Sequence, residues 1–537
     1  MEIIYYTIFL IVAITLTGIL SKWIPIPYSI LLIAVGLLVS TTDVLKNLHL
    51  DPEIFFLLFL PPLLYADGWL INLRDFKRYL RSILLLSFGL VIASSFVLAF
   101  TLHTIFPAIP FIVALILGAV ISPTDAVAIQ DLTRSTPITN RISTILNGES
   151  LVNDASGLII FNFALYTLNF GFSYSSVLES VFVKIPLGIL IGFGVAWISL
   201  QIRLLIQNVH GNPIFWILIS LMTPYFAYIT AVQANASAIL SIVIAGLYNG
   251  YIDPLRMNSQ TRLNSFIVWE IWLHILNGFV FLVLGIQLPN IFKKIEASSL
   301  ELASLVLITF FVVTIFRILW VFPGALLPRF LFTRIRKKES EPNPRHIFFV
   351  GWAGVRGAVT LAAALSIPFQ LQSGEPFPYR EKIIFIASSI IILSLLVNGL
   401  TLPMLVRILK IQDDGEIAKE EKLARIHSSE DAAKALRQLY LEGTSNVDEE
   451  FILNLIEDYQ EKIDKIRAME LSQKVSFFRL KARKEIICIA LEAEKRSLLH
   501  LYTAGRINDE TLRKLQRALD VEETWINERL DASSNLL

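Results

Sequence analysis

Long apolar stretches follow one another through the first 410 residues, separated by short links that carry charge, proline or glycine. A helix needs roughly 20 mostly apolar residues to cross a bilayer, so these stretches predict about 13 membrane-spanning helices. We place them near 3–20, 27–40, 54–71, 82–102, 107–130, 143–169, 176–201, 213–230, 236–250, 266–288, 300–327, 346–366 and 381–409. The first stretch follows Glu2 and lacks a basic start and a small-residue cleavage site, which indicates a permanent span.

The pattern changes after Lys410. Residues 411–537 are rich in charge, and their apolar positions recur at helical spacing, as in FILNLIEDYQEKIDKI. The chain is therefore predicted to have two domains, a transmembrane domain over 1–410 and a water-soluble helical tail over 411–537.

Composition agrees with an all-α polytopic membrane protein. Hydrophobic residues make up 55% of the chain and charged residues 17%, whereas soluble domains carry roughly 25% charge. The net charge of +1 gives no reason to expect nucleic acid as a partner. Cys488 is the single cysteine, which excludes an internal disulfide and a cysteine-based metal site. We expect no cofactor and no enzymatic activity.

Basic residues favour alternate loops. With the N-terminus outside, the predicted inner loops hold most of them, including Arg74, Lys77, Arg78, Arg81, Arg203 and the cluster between 329 and 345. This asymmetry is what the positive-inside rule predicts for a plasma-membrane protein, with the tail in the cytoplasm.

Three spans contain polar residues that are costly in a membrane. The first is ISPTDAVA, residues 121–128, in the fifth span. Pro123 removes a backbone donor, and Thr124 and Asp125 offer side-chain partners to the freed backbone, which predicts a broken helix. The alternative is a simple proline kink capped by these two residues.

The second is GESLVNDASG, residues 148–157, at the head of the sixth span. At helical pitch Ser150 and Asp154 share one face, and Glu149 and Asn153 share the adjoining face. A hydroxyl beside a carboxylate suits a hard cation, and the other carboxylate is free to meet a base. The alternative is a helix N-terminus capped by these side chains.

The third is GWAGVRGAVT, residues 351–360, in the twelfth span. Three glycines around Arg356 indicate local unwinding, and a buried guanidinium needs an anion. Glu149 is the predicted partner of Arg356, and the alternative is an arginine that reaches the interface. Arg317, in the eleventh span, is a second buried charge; a structural pair is expected for it, without a nameable partner.

Six spans lie between the fifth and the twelfth, so the two interrupted helices run in opposite directions. Interrupted helices in corresponding positions of two halves indicate an inverted-repeat secondary transporter with its site between them.

SPTDAVA, GESLVNDASG, LPPLLY (60–65), FVFLVLGIQL (279–288) and GWAGVRGAVTL together resemble the sodium/proton exchangers of the monovalent cation:proton antiporter superfamily, in the branch marked by an Asn-Asp pair. The resemblance spans residues 1–410. It implies a homodimer with a dimerisation domain and a moving core domain, in which two unwound helices cross beside the ion site.

The resemblance also assigns roles to residues of this chain. It implies that Asp154 binds cation or proton with Asn153 as its amide partner, that Thr124 and Ser150 are further ligands of Na⁺, and that Asp125 braces the crossing. Glu149 and Arg356 resemble the family's buried ion pair. After LPPLLY the family often has an acidic residue, whereas this chain has Ala66 and then Asp67, a candidate for the ion path.

The resulting hypothesis is electroneutral exchange of Na⁺ for H⁺ by alternating access, with Asp154 holding either ion. K⁺ or Li⁺ in place of Na⁺ remains open, because spacing does not determine the size of a site. A passive cation channel is the main rival, since a channel needs no proton-binding group. An intramembrane aspartyl protease using Asp125 and Asp154 would leave the buried arginine unexplained.

Overall fold

The computed structural model describes residues 2–21, 23–24, 26–41, 52–125, 129, 138–210, 212–295, 298–331, 343–411, 415–442 and 449–468, together with short pieces between 493 and 519. The described residues are helical with short connections and one isolated β-bridge between Gln370 and Pro376. The all-α fold class is confirmed.

The first half of the transmembrane domain contains helices α1 (Glu2–Leu20), α2 (Tyr28–Ser40), α3 (Pro52–Leu70), α4 (Leu73–Arg78), α5 (Leu80–Leu84), α6 (Val91–Ile105), α7 (Phe111–Ile121), α8 (Asn140–Phe170), α9 (Tyr174–Glu179) and α10 (Ile185–His210). Single π-helical turns, Leu85–Leu90 and Ser180–Lys184, join α5 to α6 and α9 to α10.

The second half contains α11 (Pro213–Gln233), α12 (Ala238–Arg256), α13 (Ser259–Lys293), α14 (Ser299–Leu331), α15 (Pro344–Trp352), α16 (Ala358–Leu365), α17 (Arg380–Leu393) and α18 (Leu400–Ile408). A π-helical turn, Ser394–Gly399, joins α17 to α18.

Among the described residues, 8 helical segments are long and apolar enough to cross a membrane, and four shorter apolar helices lie at 8–20, 28–40, 57–70 and 111–121. The protein is a multi-pass membrane protein. The number of spans stays a prediction, because helices as short as α2 and α7 do not by themselves define a crossing.

The predicted breaks in the fifth and twelfth spans are present. Helix α7 ends at Ile121, and residues 122–125 leave the helix; residues 126–128 of the same motif lie outside the described residues. Helix α15 ends at Trp352, residues 353–357 are non-helical, and α16 begins at Ala358. Proline in one segment and three glycines in the other account for the interruptions.

Within residues 1–412 the helices pack as two groups. Helices α1, α2, α3, α10, α11, α12 and α13 pack mainly on one another and form the first group. Helices α5 to α8 and α14 to α18 form the second group, which contains both broken segments. The candidate site lies where α3 and α13 of the first group face α8 and α16 of the second.

Arg203 corrects the loop assignment made from the sequence. It was predicted in an inner loop, but it lies in α10 with its side chain fully buried against Asp253 of α12. A guanidinium can enter an apolar interior when a carboxylate neutralises it. Most of the predicted basic cluster between 329 and 345 lies outside the described residues.

Residues 413–537 form a second compact unit. Its helices α19 (Glu416–Leu441) and α20 (Glu449–Ala468) pack on each other. Arg467 of α20 donates to Glu430 of α19 at 2.7 Å. The described part of the tail is helical, as expected.

Candidate cation-binding site

The two broken segments meet directly. The backbone N–H of Asp125 donates to the carbonyl of Val355 at 2.8 Å, and Arg356 Nε donates to the carbonyl of Ile121 at 3.1 Å. Each break frees backbone groups that lose their helical partners, and the other break supplies partners for them. The crossing predicted from two interrupted helices is therefore formed by hydrogen bonds between the segments.

Gly357 is required at this crossing. A Cβ atom on Gly357 would lie 1.6 Å from Asp125 Oδ2, so the carboxylate occupies the space that any other residue's side chain would fill. The position of Asp125 thus depends on the absence of a side chain at the end of the second break.

Helix α8 carries the Asn-Asp pair on its buried side. Asn153 Nδ2 donates to Thr124 Oγ1 at 3.0 Å and lies 3.4 Å from the Thr124 carbonyl. The family resemblance implies that Asn153 is the amide partner of Asp154, whereas the described contacts of its Nδ2 are with Thr124 of the first break. Asn153 Oδ1 is buried and has no hydrogen-bond partner among the described residues.

Asp154 lies one residue further along α8 and is 4% exposed. No described residue donates a hydrogen bond to its carboxylate. Removal of a carboxylate from water disfavours the charged form unless a proton or a cation neutralises it. Asp154 is therefore a buried acid with an unmet requirement for a positive charge.

A cavity of about 140 Å³ is lined by five of the residues named from the sequence, whereas Asn153 is not part of its lining. Its polar lining consists of three carboxylates, three hydroxyls and one amide: Asp67, Asp125, Asp154, Thr124, Ser150, Thr360 and Asn277. The volume is sufficient for several water molecules or a partly hydrated ion. Asp67, whose role was in doubt, lines the same cavity as Asp154.

Asn277 and Thr360 were missed as candidate site residues. Asn277 is an amide in the middle of a long apolar helix, which was a usable signal because uncompensated polar groups are costly there. Thr360 was quoted within a motif but given no role. Its place in the cavity follows from the start of α16 at Ala358, which the sequence did not fix.

Glu149 binds Arg317, and this corrects the predicted pair with Arg356. Arg317 Nη2 donates to Glu149 Oε2 at 2.9 Å, and Nη1 contacts Oε1, so the pair is bidentate. Arg317 also donates to the Val350 carbonyl at 3.1 Å. Arg317, the charge without a nameable partner, is thus the partner of Glu149.

Arg356 binds backbone carbonyls instead. It donates to Ile121 at the end of α7 and to Gly354 of its own break. The carboxyl end of a helix carries partial negative charge, which favours a cation there. Sequence spacing could not distinguish a carboxylate from a helix end as the neutralising group.

The ion pair touches the cation site through one hydroxyl. Thr124 Oγ1 donates to Glu149 Oε1 at 3.2 Å and accepts from Asn153. Its proton is therefore donated to Glu149, and Thr124 also lines the cavity. The described residues contain no group of three His, Cys, Asp or Glu side chains arranged to hold a metal ion, so any ligand shell here would also use hydroxyl and amide oxygens.

Comparison with known families identifies the family of this chain. The family described as sodium/hydrogen exchanger, transmembrane, matches residues 9–408. The chain belongs to the sodium/hydrogen exchanger family. The matched range includes both broken segments, the Asn-Asp pair and every cavity residue named above.

Individual relatives cover most of the exchanger chain. The Na⁺/H⁺ exchanger YjcE of Escherichia coli is 32% identical over 558 residues, covering 98% of this chain and 100% of the relative. The sodium, potassium, lithium and rubidium/H⁺ antiporter of Bacillus subtilis is 32% identical over 531 residues, covering 96% and 77%.

A solved structure has the same fold. The sodium proton antiporter MjNhaP1 of Methanocaldococcus jannaschii aligns with a TM-score of 0.60 at 18% identity, over 76% of this chain and 98% of that one. At that identity the likeness concerns the fold, and it agrees with the all-helical architecture described above.

Proposed function

We propose that this exchanger is a secondary antiporter that moves Na⁺ in one direction and H⁺ in the other, with Asp154 as the group that binds either ion. The observation that carries the proposal is the Asp154 carboxylate, buried in a cavity beside hydroxyl oxygens and without a hydrogen-bond donor among the described residues. Membership of the sodium/hydrogen exchanger family supports the same conclusion.

The charge balance of the cavity explains how one carboxylate couples two ions. Empty Asp154 carries a negative charge that would have to move through a low-dielectric region, which is strongly disfavoured. A proton or a cation neutralises it and permits the change of access. Because the two ions compete for one carboxylate, each crossing carries one or the other, and exchange follows without another energy source.

The neighbouring residues divide into ligands and supports. Thr124 and Ser150 supply hydroxyl oxygens for a hard cation. Asn153 holds the break that carries Thr124, and Asp125 fastens that break to the other. Glu149 and Arg317 neutralise each other, so neither competes with Asp154 for the transported ion.

We propose Na⁺ as the cation and one proton per cation. Asp154 binds either one Na⁺ or one proton, and the neighbouring Asn153 carries no charge, so the exchange moves no net charge. The Bacillus subtilis relative is named for sodium, potassium, lithium and rubidium, so all four ions belong in the test. Transport at a rate independent of an imposed membrane potential is the expected result for electroneutral exchange, and a potential-dependent rate would contradict it.

The remaining features are proposed with the function. The exchanger acts as a homodimer in the plasma membrane, with the 411–537 tail in the cytoplasm, and it uses no cofactor and catalyses no chemical reaction. Its partners are the monovalent cation, the proton and membrane lipid.

The test uses purified protein in vesicles that contain a pH-sensitive dye. Addition of Na⁺ should move protons in wild type, and Asp154→Asn should abolish the response while the protein still purifies as a folded species. Glu179→Gln is the matched control, because Glu179 is a surface carboxylate with a 56% exposed side chain, and it should transport normally. Retained transport in folded Asp154→Asn would refute the site.

The same vesicles separate an antiporter from a channel. An antiporter should move protons on addition of cation in the absence of any net current. Cation conductance that exceeds the proton flux, or that persists in Asp154→Asn, would favour the channel.

A further inference from the structure

Helix α3 carries Asp67 on one face and two hydrogen-bonding aromatic residues on the opposite face. Leu63, Asp67 and Leu70 all line the cavity, as expected for positions i, i+4 and i+7 of one helical face. Tyr65 and Trp69 are each two residues from Asp67, which places them roughly 200° around the helix. The rotation of α3 about its axis therefore determines whether Asp67 faces the ion.

Two polar rungs connect α3 to α12. Asn249 Nδ2 donates to Tyr65 Oη at 2.9 Å, and Trp69 Nε1 donates to Asp253 Oδ2 at 3.1 Å. The rungs are four residues apart on both helices, so the two helices run parallel and in register. We call these two contacts the α3–α12 ladder.

Glycines on α12 allow its backbone to lie close to the backbone of α3 along the ladder. A Cβ on Gly246 would lie 2.4 Å from the Tyr65 carbonyl oxygen, and one on Gly250 would lie 2.3 Å from the Trp69 carbonyl oxygen. This small-residue spacing lets the helices touch along their length. A glycine contact permits sliding and rotation, however, whereas a hydrogen bond at each rung fixes one arrangement.

Arg203 holds the acceptor of the second rung. Its Nη1 donates to Asp253 Oδ2 at 2.8 Å, the same oxygen that accepts from Trp69, and both side chains of the ion pair are fully buried. The guanidinium also lies 4.8 Å from the centre of the Trp216 ring. The carboxylate that Trp69 needs is therefore oriented by Arg203 of α10, which itself packs on Trp216 of α11.

The Arg203–Asp253 pair is poorly suited to a purely stabilising role. Asp253 Oδ1 and Arg203 Nη2 are buried and have no hydrogen-bond partner among the described residues. Buried ion pairs that are incompletely satisfied are commonly no better than apolar residues of similar size. What the pair supplies is a unique orientation for Trp69.

We propose that Arg203 and Asp253 are positioning residues: through the α3–α12 ladder they fix the rotation of α3 and aim Asp67 into the cation cavity. The proposal deepens the proposed function, since it assigns to a pair outside the cavity the alignment of one of its carboxylates.

The first test replaces both charges together, Arg203→Met with Asp253→Leu, so that no buried charge is stranded. We expect the double variant to fold, with a melting temperature lowered only by the loss of the acceptor for Trp69 Nε1, and its KM for Na⁺ to rise about 5-fold, the factor associated with one hydrogen bond. Trp69→Phe removes only the rung and should raise KM in the same direction. Trp320→Phe loses a comparable indole hydrogen bond, to the Leu85 carbonyl, and should leave KM unchanged.

Asp67→Asn tests whether the rise in the KM for Na⁺ in the double variant depends on Asp67. It should raise KM in wild type but add little in the Arg203→Met, Asp253→Leu background, where Asp67 is already misaligned. A folded double variant with wild-type KM, or an Asp67→Asn effect of equal size in both backgrounds, would overturn the positioning role.

A second measurement does not depend on transport. With Cys488 replaced by serine, Asp67→Cys should react with a small water-soluble thiol reagent that enters the cavity. Addition of Arg203→Met and Asp253→Leu should slow the labelling several-fold. An unchanged labelling rate in folded protein would overturn the proposal even if the exchanger moved no sodium. Absence of cation-driven proton movement in wild type, with labelling that does depend on the ladder, would instead count against the proposed function alone.

Discussion

The Glu149–Arg317 pair offers the sharpest test of the architecture around the site. Both side chains are at most 2% exposed, so neither charge is screened by water. We consider Glu149→Gln, Arg317→Met and the two combined.

The structure sets the expected size of the effect. Arg317 makes two charge-assisted contacts to Glu149, each of which contributes roughly 1.5–3 kcal/mol. Removal of one partner also leaves the other charge buried and unpaired, and measured costs of this kind are about 3–5 kcal/mol. Since folded proteins are stable by roughly 5–15 kcal/mol, each single variant should lose a large part of its stability.

The double variant should behave differently. With both charges gone, the penalty for an unpaired buried charge disappears. A glutamine at position 149 can still accept from the Thr124 hydroxyl. The remaining cost is the loss of the Arg317 partner by the Val350 carbonyl and by the position-149 side chain, roughly 1–3 kcal/mol each. The coupling energy in a double-mutant cycle should therefore be about 3 kcal/mol, at the high end for neighbouring residues.

The assay is the thermal stability of detergent-purified protein, measured for all four members of the cycle by retention of the monodisperse species after heating. Glu149→Gln with Arg356→Met is the matched second cycle, and it should show a smaller coupling, because Arg356 hydrogen-bonds carbonyls and acts on Glu149 only through its charge. Additive single effects for Glu149 and Arg317, or a larger coupling to Arg356, would refute the assignment of the partner.

Three further predictions concern the cation cavity. Ser150→Ala should raise the KM for Na⁺ by roughly 5-fold, the effect of losing one oxygen contact, and should affect the KM more than the melting temperature; an unchanged KM would remove Ser150 from the ligands. Gly357→Ala should impair folding or transport, because the new methyl group would meet the Asp125 carboxylate, and a variant with normal yield and normal transport would show that the crossing can shift. The KM for Na⁺ should fall as pH rises, since fewer protons then compete for Asp154; transport assayed at several pH values with a constant KM would contradict competition for one carboxylate.

The hydrophobic pattern alone determined the class of protein and most of the helices. Apolar length specifies a helix in lipid, because every backbone group there must be satisfied within the segment. Polar residues in such a segment are costly, so SPTDAVA, GESLVNDASG and GWAGVRG identified the region of the site before any coordinates. Asp154, Ser150, Thr124, Asp125 and Asp67 all line one cavity, although their roles as ligands stay predictions.

Only the tertiary structure determined which buried charged residues pair with each other. The sequence shows that Glu149, Arg317 and Arg356 are buried charges, but it does not show that α14 brings Arg317 to Glu149 while Arg356 reaches the end of α7. It likewise placed Arg203 in a loop, because a basic residue near the end of an apolar window is as consistent with a loop as with a buried pair. Burial is a property of local composition, whereas pairing depends on how helices distant in sequence rotate and pack, and for that reason only the folded chain identifies which charge neutralises which.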